Sequence, residues 1–308
     1  MKALIDGDIL VYRCAFAAES TRYTLLDPES GVPIGQFESS ADMKAYIKEN
    51  ALSEGEYEVD RERLYEPLSH ALANVKSVMN TILTRVGTQD YHLFLSQGKC
   101  FRNNIATILE YKANRKDAPR PIYYDETREY LVNQYGARIY SSIEADDALA
   151  MCQTNDTVIV SIDKDLLQVP GKHYNWVKDQ KVWVAPDVGL RKLYMQVLSG
   201  DPTDNIPGIR GVGEATARKM LADVPTSKKD LSTACTAAWD NYLKSDKNTL
   251  FTPTKEDGLW NYTSWAGMTC TASAVDIAAE VFHLVRVGGR DAIEALQEQG
   301  EELPLAGG

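Results

Sequence analysis

The stretch "DTVIVSIDKD", residues 156–165, sets the fold class. Thr157 to Val160 are all β-branched, and Ile162 extends the run. A strand with one wet face alternates apolar and polar residues, and this one does not. A continuous run marks a strand buried on both faces, as in a parallel sheet covered by helices. Its carboxyl end carries Asp163 and Asp165. Open α/β sheets bind ligands at the carboxyl ends of their strands, so these aspartates stand where chemistry is expected.

Outward from this strand, strand and helix signals alternate. "ALIDGDILVY" (3–12) reads as a buried strand running into a turn or helix start. Residues 20–60 are polar with turn signals, an insertion or hairpin. Residues 64–86 place Leu68, Leu72, Val75, Val78, Met79 and Ile82 at helical spacing, and Gly87 stops the helix. "DYHLFLS" (90–96) and "ARIYSS" (137–142) read as strands, and "TREYLVNQYG" (127–136) as a helix ending at Gly136. "SIEADDALAMCQ" (142–153) opens a helix, with Ser141 or Ser142 as N-cap. "HYNWV" and "KVWVA" are short strands, and "VGLRKLYMQVLSG" is a helix ending at Gly200. Past about residue 187 helices dominate, among them "SAVDIAAEVFHLVRVGG". The class is α/β with a mainly parallel sheet flanked by helices. Residues 1–186 form the expected α/β domain and 187–308 a smaller helical region, with a loosely ordered tail "EQGEELPLAGG".

Of the 308 residues, 44% are hydrophobic and 25% charged, the balance of an ordinary folded protein. No apolar run is long enough to span a membrane, and the N-terminus reads as a strand rather than a signal peptide. The five cysteines are scattered without a CxxC pair, which points away from a zinc site or disulfide framework and toward a reducing cytoplasm. His92 and His283 lie in apolar runs and read as structural. The net charge of −11 argues against a general nucleic-acid coat protein. It leaves room for a metal-dependent nuclease, which concentrates carboxylates and needs basic charge only locally.

Carboxylates gather at four places: Asp6 and Asp8; Glu144, Asp146 and Asp147; Asp163 and Asp165; Asp201 and Asp204. Period two puts Asp6 and Asp8 on one side if the first strand continues. Several carboxylates in one cleft raise each other's pKa unless cations join them. Mg²⁺ suits such a site because it prefers oxygen ligands and shares phosphate oxygens with a substrate. Directly after Asp201 and Asp204, "IPGIRGVGEATARKML" places Gly208, Gly211 and Gly213 before a helix start near Glu214. A glycine turn into a helix N-terminus is either a packing elbow or a phosphate cradle. The upstream acid pair favours the cradle, with Thr216 and Lys219 as added contacts.

Taken in order, "DGDILVYR", "YKANR", "EADD", "SIDKDLLQV" and "GDPTDNIPGIRGVGEATA" resemble the motifs of the 5′ nuclease (flap endonuclease) superfamily. The likeness spans roughly residues 3–222 and is closest to phage 5′-exonucleases and the 5′-nuclease domain of bacterial DNA polymerase I. It implies a PIN-like nuclease fold with a basic arch near 99–120 and a helix-three-turn-helix near 200–222. It implies that Asp6, Glu144, Asp146 and Asp163 hold a first metal ion, and Asp147, Asp165, Asp201 and Asp204 a second or its waters. Mg²⁺ is the implied ion, with Mn²⁺ as substitute, and K⁺ is implied at the glycine turn. Lys112 and Arg115 would contact the scissile phosphate, with Tyr111 stacking on a base and Arg13 near the active site. The implied partners are DNA 5′ ends, flaps and duplex junctions, and RNA–DNA hybrid. A monomer in the cytoplasm, the host's for a phage-encoded chain, completes the expectation.

Two features bear on that reading independently. Lys99, Arg102, Lys112, Arg115, Lys116 and Arg120 face only Glu110 and Asp117 in the same segment, a local positive stripe with Phe101 and Tyr111 interleaved. The family usually has an aspartate after the strand before the arch, whereas "LFLSQGKCFR" offers Ser96 and Gln97. The competing readings are a non-catalytic branched-DNA-binding module of the same fold and a PIN-like ribonuclease. The glycine turn speaks against the ribonuclease.

Overall fold

The computed structural model describes residues 1–53, 55–116 and 118–304. The chain opens with β1 (Lys2–Asp6) and α1 (Gly7–Phe16), then β2 (Glu19–Leu26), β3 (Pro33–Phe37), α2 (Ser40–Glu49), β4 (Glu58–Tyr65) and α3 (Leu68–Val86). Next come β5 (Tyr91–Ser96), α4 (Arg102–Ile105), α5 (Tyr124–Tyr135), β6 (Arg138–Tyr140), α6 (Ala145–Cys152), β7 (Thr157–Val160), β8 (Gly171–Asn175), β9 (Gln180–Val184) and α7 (Pro186–Ser199). The last third holds α8 (Glu214–Met220), α9 (Lys228–Leu243), β10 (Thr252–Pro253), β11 (Leu259–Thr263), β12 (Thr269–Ser273), α10 (Ala274–Val285) and α11 (Arg290–Gln299).

Two compact units result. The first holds residues 1–8, 82–119 and 136 onward. Its six-stranded sheet has the order β6-β5-β1-β7-β8-β9, parallel except for the antiparallel β9 edge. β7 is buried at every position and lies between β1 and β8, as its unbroken β-branched run requires. The register pairs Ile5 with Val160 and Asp6 with Phe94, so the ends of β1, β5 and β7 form one rim. Residues 186–304 belong to this unit too, so the chain does not divide at position 186. That region also contains the antiparallel sheet β10-β11-β12, which its polar, threonine-rich sequence did not announce. Trp239 anchors its helices, 1% exposed, with the indole donating to the Val197 carbonyl at 3.0 Å.

The second unit holds residues 9–81 and 120–135. The expected insertion is a three-stranded antiparallel sheet, β3-β2-β4, with α2 capped by Ser39. Glu19 anchors the unit, accepting from Arg63 and from the Ile122 amide.

Local details depart from the sequence reading. β1 stops at Asp6 and Asp8 sits in the first turn of α1, so the two do not alternate on one strand. Gly7 permits the switch, because a Cβ there would lie 2.5 Å from the Phe94 carbonyl oxygen. The N-cap of α6 is Glu144, not Ser141 or Ser142. Both serines instead bind the Glu301 carboxylate through their amides and hydroxyls. That contact holds Glu301 of the expected loose tail; residues 305–308 lie outside the described residues. Among the described residues, no helix is long and apolar enough to cross a membrane.

Candidate active site

The rim of the parallel sheet gathers the acidic groups, all within the first unit. Asp6 ends β1 at 5% exposure and accepts the Ser161 hydroxyl at 2.8 Å. The same Ser161 oxygen accepts the Asp163 amide at 3.0 Å, so one serine ties the ends of β1 and β7 together. Asp163 in turn accepts the Asp165 amide at 2.8 Å, which closes the turn. Glu144, Asp146 and Asp147 open α6 and bring carboxylate oxygens within 4.8 Å of one another. A cleft of about 130 Å³ is lined by Asp146, Asp163, Asp165, Asp201 and Asp204, among others. A second cleft of about 380 Å³ shares Asp165 and Asp201 with it and continues to Val212, Gly213 and Glu214.

The loop from α7 to α8 holds the last acid pair. Asp201 and Ile206 exchange backbone hydrogen bonds at 3.1 and 2.8 Å. Gly200 and Gly208 pack so tightly that a Cβ on Gly208 would lie 2.1 Å from the Ser199 carbonyl oxygen. Gly211 has φ +85° with open space around it, and Gly213 is also open. The three glycines therefore divide: Gly208 closes the loop, while Gly211 and Gly213 leave the backbone accessible. Gly208→Ala should cost about 3 kcal/mol by overpacking, and Gly211→Ala about 1 kcal/mol by left-handed strain. Urea denaturation of both variants checks the order; equal losses would contradict it. Thr216 and Lys219 are exposed on α8.

Residues 110–115 are stitched onto this loop. The Lys112 amide donates to the Asp204 carbonyl at 2.9 Å, and Asn205 Nδ2 donates to the Glu110 carbonyl at 2.9 Å. Lys112 takes φ +57°, unusual outside glycine. Its ammonium binds Glu144 and lies 3.6 Å from Asp204, and Arg115 binds Asp204. The Tyr111 hydroxyl lies 2.6 Å from a Glu144 oxygen and 3.0 Å from an Asp204 oxygen, its single proton shared between the two carboxylates. Tyr111 is buried, so its ring is not presented for base stacking.

The positive stripe is likewise not free-standing. Arg102 is 2% exposed and binds Asp147 and Glu144, and Lys116 binds Glu110. Asp147 is fully buried and bound on both oxygens, which removes it from the metal set. Ser96, where the resemblance leads one to expect an acid, donates to Asp8 through its amide and hydroxyl and accepts the Ala145 amide at 2.8 Å. It ties Asp8 to the start of α6 within the first unit. Arg13 is exposed on α1 in the second unit.

The electrostatics divide the acids. Burial pulls Glu144 upward, but Lys112 and Arg102 outweigh it and hold its pKa at about 2. Burial beside Asp147 and Glu144 pushes Asp146 well above the usual carboxylate range. Burial, then Asp163 and Asp201, raise Asp165 to about 6. Burial raises Asp204 despite Lys112 and Arg115. Burial would depress Lys112, but Glu144 and Asp204 hold it above its ordinary value. An all-oxygen donor set that resists full ionisation suits a hard divalent cation, which removes the repulsion.

The metal-free protein should therefore lose stability as pH rises from about 4 to beyond 6. Unfolded aspartate titrates near ~3.9, below the folded Asp165 value of about 6. In that window the folded state holds the extra proton, so raising pH favours unfolding. Mn²⁺ should reverse the trend, because it rewards the ionised site. Melting temperature against pH with and without Mn²⁺ tests this; parallel curves would contradict it.

No family model matches the chain. The chain has the α/β fold of solved bacteriophage T5 5′-nuclease structures. The T5 D15 protein co-crystallized with metal ions superposes with TM-score 0.52 at 15% identity, over 96% of this chain and 94% of that one. The T5 flap endonuclease in a pseudo-enzyme-product complex with DNA and metal ions gives 0.51 at 15% identity, over 75% and 86%. In sequence, DNA polymerase I of Rhizobium leguminosarum is 33% identical over 171 residues, 46% of this chain and 16% of that protein. The 5′-3′ exonuclease of Buchnera aphidicola subsp. Schizaphis graminum is 29% identical over 147 residues, 42% of this chain and 50% of that one. The chain thus spans half or less of these relatives' length. Sequence and fold together support the resemblance to the 5′ nuclease superfamily.

Proposed function

We propose that the chain is a divalent-metal-dependent 5′ nuclease. It would hydrolyse DNA phosphodiester bonds from 5′ ends or at flaps and duplex junctions, and RNA in RNA–DNA hybrids. The observation that carries this is the cleft lined by five carboxylates at the carboxyl rim of the parallel sheet. The names of the sequence relatives and the metal-bound T5 structures support it.

Asp6, Glu144, Asp146 and Asp163 would hold one Mg²⁺ or Mn²⁺ ion directly or through water. Asp165, Asp201 and Asp204 would hold a second; Asp147 is left out because its oxygens are taken. When bound, the ions supply Lewis acidity toward phosphate and lower the pKa of water. The chain's own residues do the rest. Lys112 and Arg115 are bound to Glu144 and Asp204 and can pass to the scissile phosphate as metal neutralises the acids. Gly211, Gly213, Thr216 and Lys219 would contact the duplex backbone as a helix-three-turn-helix, where K⁺ binding to carbonyl oxygens is part of the proposal. Arg13 and a monomeric state in the cytoplasm belong to it as well.

A 5′-labelled flap duplex, incubated with and without Mg²⁺ and resolved by length, tests the reading. Metal-dependent mononucleotides or junction fragments are expected. Tight binding without product in Mg²⁺ or Mn²⁺ would establish the non-catalytic module instead.

A further inference from the structure

Arg102 makes five hydrogen bonds, matching the five N–H groups of a guanidinium. Nε donates to the Leu284 carbonyl at 2.9 Å. Nη1 donates to Asp147 Oδ2 at 2.7 Å and to Glu144 Oε2 at 3.1 Å. Nη2 donates to Asp147 Oδ1 at 2.8 Å and to the Arg286 carbonyl at 2.7 Å. The guanidinium carbon lies 4.7 Å from the centre of the Phe101 ring.

Asp147 is equally committed. Besides Arg102, its Oδ1 accepts the Gly288 amide at 2.7 Å and its Oδ2 the Glu144 amide at 3.1 Å. Four donors fill its four lone-pair sites, so none remains for a metal ion. The contacts join three places: the start of α4, the first turn of α6 and the carboxyl end of α10. Glu144, the N-cap, and Asp146 directly precede Asp147 at that helix start. Asp147 reaches back to the Glu144 amide in a capping box, and Arg102 holds one Glu144 oxygen. Arg102 thus holds one Glu144 oxygen, and the backbone amide of Asp147 donates to Asp146 Oδ1 at 2.7 Å, so both acids are fixed by groups of a pair whose own carboxylate is fully taken up.

We propose that Arg102 and Asp147 are positioning residues, a resident ion pair that fixes the first turn of α6 so that Glu144 and Asp146 converge on a divalent cation. The inference rests on the nuclease reading. Partners that orient metal ligands without touching the ion commonly change metal affinity by about 10- to 100-fold when removed.

The test is Mn²⁺ titration calorimetry on the full chain, without DNA, for wild type and the double variant Arg102→Met, Asp147→Leu. Removing both charges leaves no unpaired buried ion, so the fold is expected to survive. The expected result is a folded protein whose Mn²⁺ affinity is at least about tenfold weaker, with kcat lowered and KM for DNA unchanged. A folded double variant with wild-type Mn²⁺ affinity would overturn the inference and leave the pair a packing device. Should the double variant not fold, Asp147→Asn decides by the same two outcomes. A wild-type chain that neither binds Mn²⁺ nor cleaves DNA would be a failure of the nuclease reading instead.

Discussion

Asp163→Asn should give a folded protein that binds flap DNA as before and cleaves it roughly a thousandfold more slowly. The structure explains why the two effects separate. Asp163 is exposed at the end of the β7 run, and its amide rests on the Ser161 hydroxyl at 3.0 Å. Its Oδ1 accepts the Asp165 amide at 2.8 Å, a bond an asparagine carbonyl oxygen also makes. The turn therefore survives the change. What is lost is one negative charge in the cleft, and with it a ligand for a hard cation. The proposed duplex contacts from Gly213 onward line the second cleft, which Asp163 does not line, and keep their chemistry. Single-turnover cleavage and equilibrium binding, measured on the same flap, check the prediction. Full activity in the variant would remove Asp163 from the metal set.

The parts of the fold with a strong local signature were legible in the sequence. The β-branched run at residues 157–160 announced a buried parallel strand because every side chain on it meets apolar cover. The acidic residues were legible because their spacing places them at strand ends and at a helix start. What the sequence hid depends on contacts between distant positions. Arg102 sits in "GKCFR", next to Lys99, and reads as one more surface cation. Its burial follows from Asp147 and from the carbonyls of Leu284 and Arg286, far along the chain. Ser161 gives no sign that it bridges Asp6 and Asp163. The N-cap of α6 was misplaced for a similar reason: Glu301 competes for Ser141 and Ser142, and Glu144 caps in their stead. Ser96 is visible as a departure from the family pattern, but its partner Asp8, 88 positions earlier in the chain, emerges only in the fold.

Lys112→Met should slow cleavage about a hundredfold and shift the acid sensitivity of the protein as well. The side chain joins two functions that the sequence could only suggest. In the metal-free state it neutralises Glu144 and Asp204, and its own backbone is held at φ +57° by the bond from its amide to the Asp204 carbonyl. Left-handed backbone at a non-glycine residue is strained, and such strain persists only where surrounding contacts hold it. Loss of the ammonium removes the main charge that holds Glu144 at about 2, so the Glu144 pKa rises. A carboxylate held low stabilises the fold above its unfolded value of about 4.3, and that stability is lost as pH falls toward 2. The variant has less of it to lose, so its melting temperature at neutral pH should drop and its decline toward acid should flatten. The two readouts separate two roles for the lysine. A kcat defect with unchanged KM places the ammonium on the phosphate in the transition state. Normal kcat with weaker binding and a shallower salt dependence would assign it to steering DNA into the cleft.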